Sequence, residues 1–137
     1  MAEAIGRKLK GGETIELISD LGGGKTAFVT GLAKGIGSTD QVSSPSFTIN
    51  QIYSSPRLQL NHYDMYRLQD PGIMKLEIHE ATTEPNTIVA IEWGENVRDI
   101  LPTDRISVHI SAPDITVRDI RLEVPPSLAY AVEGISS

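Results

Sequence analysis

The chain has 137 residues, no cysteine, 39% apolar residues and a formal net charge of −6. This length fits one domain with its own core, and the lack of cysteine excludes disulfides, thiol catalysis and Cys-ligated zinc. The acidic balance argues against a stand-alone nucleic-acid binder, because phosphate contacts need clustered Lys and Arg.

Residues 1–12 read as a short helix with Ile5 and Leu9 on one face, ended by Gly11-Gly12. The opening residues contain no apolar run of signal-peptide length, and no stretch is long enough to span a membrane. A soluble, cytoplasmic protein is therefore expected. A strand, Thr14–Ile18, then runs into Ser19-Asp20-Leu21-Gly22-Gly23-Gly24-Lys25-Thr26. This segment has the form of a phosphate-binding loop with Ser19 in place of its first glycine. Successive glycines let backbone N–H groups turn inward around a phosphate chain. Lys25 can reach the outer phosphates, and the Thr26 hydroxyl can ligate magnesium. The N-terminus of the following helix adds partial positive charge. The alternative is a Gly-rich turn that holds no ligand.

The helix runs from Thr26 to about Ile36, with Phe28, Val29, Leu32, Ala33 and Ile36 at helical spacing. Gly31 inside it is expected to mark close packing on a sheet, and Gly35 and Gly37 are stop signals. After a loop over Val42–Ser46, two alternating runs form a hairpin about Ser54-Ser55-Pro56-Arg57. Phe47, Ile49 and Tyr53 share one face of the first, and Leu58, Leu60, His62 and Asp64 share one face of the second. Pro71 opens a short helix to about Ala81. Thr87–Ile91 is a continuous apolar strand of the kind covered on both faces, and it ends in Glu92-Trp93. A brief helix from Glu95 to Leu101 follows. Two period-2 strands, Ile106/Val108/Ile110 and Ile120/Leu122/Val124, close the pattern. The fold class expected is a three-layer α/β domain with a mixed sheet, parallel at the centre and antiparallel toward the edges. The domain covers residues 1–125, and 126–137 form a weakly ordered tail.

Asp64 and Glu92 each stand at a strand end, where open α/β sheets gather their ligands. Either acid can serve a magnesium site, and an apolar strand running into an acid suits Glu92 to a hydrolytic role. The plainer readings are a turn-forming Asp64 and an exposed Glu92. Ser46 either senses a terminal phosphate or only forms a turn, and Trp93 either stacks near the site or belongs to the core. His62, His79 and His109 lack metal-ligand spacing and read as structural or exposed. Asp104, Arg105, Arg118 and Arg121 read as solvated charges.

Taken together, these motifs resemble the TsaE (YjeE) family, the small ATPase component of bacterial tRNA threonylcarbamoyladenosine synthesis. The family pattern Gly-Asp-Leu-Gly-Ala-Gly-Lys-Thr, Ser-Pro-Thr-Phe/Tyr, His-x-Asp-x-Tyr-Arg-Leu, Ile-Glu-Trp stands here as Ser19–Thr26, Ser44-Pro45-Ser46-Phe47, His62–Leu68 and Ile91-Glu92-Trp93. The departures are Ser19 for glycine, Gly23 for alanine and Ser46 for threonine. The resemblance implies a P-loop NTPase-like fold that binds ATP or ADP through Leu21, Gly22, Gly23, Gly24, Lys25, Thr26 and Ala27, with Ser46 and Trp93 beside the nucleotide. It implies Mg2+ at Thr26, Asp64 and Glu92, and catalytic roles for Lys25 and Glu92. It further implies TsaD-like and TsaB-like partner proteins in the threonylcarbamoylation complex, with ATP hydrolysis resetting that complex and no stable grip on nucleic acid. Two other readings remain. One is a small-molecule kinase, although no arginine-rich lid is visible and Arg57, Arg67 and Arg98 are isolated. The other is a nucleotide-binding partner module without hydrolysis.

Overall fold

The computed structural model describes residues 1–19, 23–40, 50–65, 72–111 and 119–135. In chain order its elements are α1 (Ala2–Lys8), β1 (Thr14–Ser19), α2 (Gly23–Gly35), β2 (Asn50–Ser54), β3 (Gln59–Asp64), α3 (Gly72–Thr83), β4 (Thr87–Glu92), a 3-10 helix Gly94–Ile100, β5 (Ile106–Ser111), β6 (Asp119–Glu123) and a second 3-10 helix Pro126–Val132. The expected loop at 42–46, together with Phe47, Ile49, Pro71 and Arg118, falls outside the described residues.

The strands form one six-stranded sheet in the order β2-β3-β4-β1-β5-β6. β3, β4, β1 and β5 run parallel, and the edge strands β2 and β6 pair antiparallel. The run Ile88-Val89-Ala90-Ile91 has no polar side chain to turn toward water, so β4 is buried at every position. β5 instead alternates between buried and half-buried residues, with Ile106, Val108 and Ile110 facing the core. The hairpin turn closes as its sequence requires, with Ser55 N–H donating to the Leu58 carbonyl at 2.9 Å.

Alternation sends the strand side chains to two faces. Ile15, Leu17, Leu60, Ile88, Ala90, Ile106 and Val108 meet Phe28, Val29 and Leu32 of α2 and Ile5 and Leu9 at α1. Tyr63, Val89 and Ile91 face the opposite way and pack on Ile78 and Ala81 of α3 and on Val97 and Leu101. The result is the expected three-layer α/β arrangement.

Three expectations change. Gly31 packs on α1 and not on the sheet: a Cβ there would lie 2.6 Å from the Ala2 Cβ, and one at Gly35 would lie 2.3 Å from the Glu3 carbonyl oxygen. The reason is that α1 lies directly across α2, and bare backbone permits that approach.

Arg105 is not a solvated charge. It donates to the Glu16 carboxylate at 3.1 Å, and Arg98 donates to the same carboxylate at 2.9 Å. Glu16 is almost completely buried within β1, and a buried carboxylate requires such partners.

Residues 126–132 are not a loose tail. Ala131 is fully buried in the core of the α1–α2 face. Tyr130 donates its phenol hydrogen to Glu13 at 2.5 Å, and the backbone N–H groups of Lys10 and Gly11 donate to the same carboxylate at 2.8 Å each. Glu13 thereby ties the C-terminal 3-10 helix to the turn between α1 and β1. Burial pushes the Tyr130 hydroxyl pKa up, and the hydrogen bond to Glu13 adds to the rise. Among the described residues, no helix is long and apolar enough to cross a membrane.

Candidate functional site

Parallel strands place their carboxyl ends at one edge of the sheet, and here that edge gathers the charged residues. β1 ends at Ser19, which is paired with Ile110 of β5, so Ser19 belongs to the strand and not to the loop. The chain re-enters the described structure as α2, whose first turn contains Gly23, Gly24 and Lys25 and no acidic residue. An N-terminus free of carboxylates leaves its positive dipole end uncompensated by the helix's own side chains.

Glu92 closes β4, the strand between β1 and β3. Its Cα is in register with Leu17 on one side and Asp64 on the other. Asp64, half-buried at the end of β3, therefore stands next to Glu92 across a strand pair. Lys25 reaches the same point from α2. Its Nζ lies 3.4 Å from Glu92 Oε1, and the two side chains are only 4% and 7% exposed. Without this acid, burial of the ammonium would be strongly unfavourable.

Trp93 follows at once. Its backbone sits at φ 57° and ψ 48°, the left-handed region, and it is the only non-glycine with positive φ among the described residues. Such a conformation costs roughly 1–2 kcal/mol for an L-residue. It turns the chain sharply out of β4 into the 3-10 helix. The indole packs on the α3-side core and also lies under Lys25, whose Nζ is 4.6 Å from the ring centroid. Trp93 thus stands between the α3-side core and the Lys25 ammonium.

His62, expected to be structural or exposed, is structural. The structure buries it completely, with Nε2 2.5 Å from Glu92 Oε2. The available signal was alternation: His62 and Asp64 share a face of β3, so a group that meets Asp64 also lies near His62. On the other face of the same strand, Tyr63 is buried in the α3-side core, and burial raises its hydroxyl pKa, partly offset by the hydrogen bond from Asn61.

The remaining residues fall as follows. Thr26 is half-buried in the first turns of α2, where its carbonyl accepts the Thr30 hydroxyl at 2.8 Å, and Ala27 is exposed. Leu21, Gly22 and Ser46 lie outside the described residues, as does Arg67. Among the described residues, no group of three or more His, Cys, Asp or Glu could hold a metal by itself. Among the described residues, Thr26 at the start of α2 and Asp64 and Glu92 at the strand ends offer hard oxygen donors. That set suits a magnesium ion that takes its other ligands from water and phosphate, and does not suit a softer metal.

The chain is similar to known proteins along most of its length. The family model described as "Threonylcarbamoyl adenosine biosynthesis protein TsaE" matches residues 1–120. A Nostoc protein named tRNA threonylcarbamoyladenosine biosynthesis protein TsaE is 40% identical over 113 residues, covering 80% of this chain and 69% of the relative. The Bacillus subtilis protein of the same name is 35% identical over 111 residues, covering 81% and 69%. The crystal structure of Bacillus subtilis YdiB superposes with a TM-score of 0.75 at 28% identity, over 96% of this chain and 82% of that one.

Proposed function

The chain belongs to the TsaE family and has its P-loop NTPase-like fold, and on that premise we propose that it binds ATP and hydrolyses it in support of tRNA threonylcarbamoyladenosine synthesis. One observation carries this reading: a buried lysine at the start of α2 faces the acid that ends β4, and Asp64 stands in register beside that acid.

Each residue has a task set by its chemistry. Lys25 carries a buried positive charge at a helix N-terminus, where polyphosphate oxygens are favoured. When phosphate takes over that charge, Glu92 Oε1 is released from it. Glu92 then orients a water for attack on the terminal phosphoryl group, a role for which a buried, fixed carboxylate is suited. Thr26 and Asp64 would hold Mg2+, with Glu92 alongside. Magnesium, when bound, neutralises charge that develops on the phosphate oxygens. Trp93 supplies an apolar face beside Lys25 and, on this reading, beside the nucleotide. On this reading Leu21, Gly22, Gly23 and Gly24 would supply the amides that cradle the phosphates, and Ser46 a hydroxyl for the terminal phosphate.

The partners proposed are TsaD-like and TsaB-like proteins of a threonylcarbamoyl-transferring complex, and the compartment proposed is the cytoplasm. With a net charge of −6, the chain is suited to act on tRNA chemistry through those partners and not by gripping tRNA itself. The test is phosphate release from magnesium-ATP, measured alone and with both partner proteins. Calorimetric titration with magnesium-ADP accompanies it. Turnover that Lys25→Ala abolishes supports the reading. Binding without phosphate release, even with both partners present, would make the chain a non-hydrolysing module.

A further inference from the structure

Glu92 has two carboxylate oxygens and the structure commits both: Oε1 to Lys25 at 3.4 Å and Oε2 to His62 at 2.5 Å. A carboxylate only accepts, so the imidazole donates from Nε2. Strand register explains how His62 gets there. It lies beside Ala90 on β4, a side chain small enough for the ring to reach past toward Glu92, two residues farther along. The rest of the ring is poorly served. His62 is fully buried, and its Nδ1 has no hydrogen-bond partner among the described residues. Leaving a buried polar atom unpaired costs about 1–3 kcal/mol, so an imidazole is a poor choice for filling this part of the core. Among the described residues, the one polar contact of the His62 side chain is the bond to Glu92.

We propose that His62 is a positioning residue for hydrolysis: it fixes the Glu92 carboxylate through Oε2, so that Oε1 keeps its place when Lys25 turns to phosphate. This rests on the reading of Glu92 given above. Lys25 is the mobile partner, since a long ammonium side chain serves phosphate as readily as carboxylate. His62 stays behind as the fixed one, on a rigid central strand.

The experiment uses His62→Leu, His62→Asn, His62→Gln and Glu92→Gln in the full chain. The Gln amide nitrogen can replace Nε2, whereas that of Asn falls at the place of Nδ1. His62→Leu should lower kcat roughly 10- to 100-fold, as expected for loss of a hydrogen bond to a charged group, with magnesium-ADP affinity within about threefold of the unchanged protein. His62→Asn should match His62→Leu, and His62→Gln should recover most of the loss. In the Glu92→Gln background, His62→Leu should add little further loss.

A merely structural histidine would reduce stability without separating kcat from ADP affinity, and Gln would rescue no better than Asn. If His62→Leu does not fold, the Asn and Gln variants carry the comparison. Unchanged kcat in His62→Leu or His62→Asn, with Glu92→Gln slow, overturns the role of His62 alone. Unchanged kcat in Glu92→Gln overturns the reading of Glu92 and this proposal with it.

Discussion

The ammonium of Lys25 and the carboxylate of Glu92 form an ion pair at 3.4 Å, each side chain more than nine-tenths buried. The first comes from the start of a helix and the second from the end of a central strand, so their meeting depends on the whole α2–β4 arrangement. In the absence of nucleotide, each partner is the other's main charge compensation. Lys25→Met should destabilise the chain by about 1–3 kcal/mol, and Glu92→Gln by a similar amount, in urea unfolding without ligand. The double variant should be less destabilised than the sum of the two, because neither charge is then left buried alone. Strict additivity would mean that the pair carries no coupling.

Trp93 is the only tryptophan in the chain, so its emission reports on one place. With Lys25 Nζ 4.6 Å from the ring centroid, Lys25→Met should shift or brighten the emission before any nucleotide is added. Magnesium-ADP should change emission in the unchanged protein and fail to do so in Lys25→Met. A spectrum indifferent to both would place the indole away from the ligand.

Close approach of α1 to α2 predicts a penalty where helix propensity predicts a gain. Gly35→Ala would ordinarily stabilise a helix by up to ~1 kcal/mol, but at the helix end that gain is smaller. Here the new methyl would lie 2.3 Å from the Glu3 carbonyl oxygen, and backbone has to move. Net destabilisation of about 1–3 kcal/mol is expected from chemical denaturation. Stability equal to or above that of the unchanged chain would show that α1 is free to shift.

Glu16 is 2% exposed at its side chain and is held by Arg98 and Arg105. Arg98 belongs to the 3-10 helix that follows Trp93, so the carboxylate also anchors the turn behind the site. Glu16→Ala removes the partner of the less exposed Arg105 and should cost about 2–4 kcal/mol in urea unfolding. Arg98→Ala should cost under about 1 kcal/mol, because that side chain is 44% exposed and solvent screens it.

Tyr130 gives the chain an alkaline dependence. Its hydroxyl pKa is raised above the ordinary 10.0, first by burial and then by its bond to Glu13. The folded chain therefore holds that proton more tightly than the unfolded chain. The contribution is complete below pH 10 and declines as pH rises past it, where the unfolded state loses its proton first. Tyr130→Phe should be less stable at neutral pH by about 1 kcal/mol, the usual size of a single hydrogen-bond loss. Its stability should also fall less steeply above pH 10, as measured by thermal melts across an alkaline series.

Much of this architecture was legible because it is written in local pattern. The apolar run before Glu92 foretold a central strand, and β4 is buried throughout. The two alternating runs about Ser54–Arg57 foretold β2 and β3. The relationships that escaped are those set by register and by distant packing. Alternation puts His62 on the Asp64 face of β3, but no local pattern says that the strand beginning at Thr87 is the one that brings an acid to its ring. Glu16 sits in an ordinary strand, and its two arginines arrive from segments far along the chain. A glycine at position 31 signals close packing, but the pattern does not say that α1 and not the sheet is the neighbour that approaches. The C-terminal residues looked loose because two prolines end the preceding strand, yet Ala131 and Tyr130 find the core and Glu13.

The buried carboxylates also divide the central sheet lengthwise. At the head of β1, Glu13 is gripped by two main-chain amides and a phenol, donors with no competing task. At the tail of β4, His62 holds one oxygen of Glu92 and an ammonium holds the other, and on the proposed function phosphate would recruit that ammonium. One pole is therefore riveted and the other merely latched. On the function proposed for this site, nucleotide arrival would disturb the latched pole and leave the riveted pole holding the strands in line.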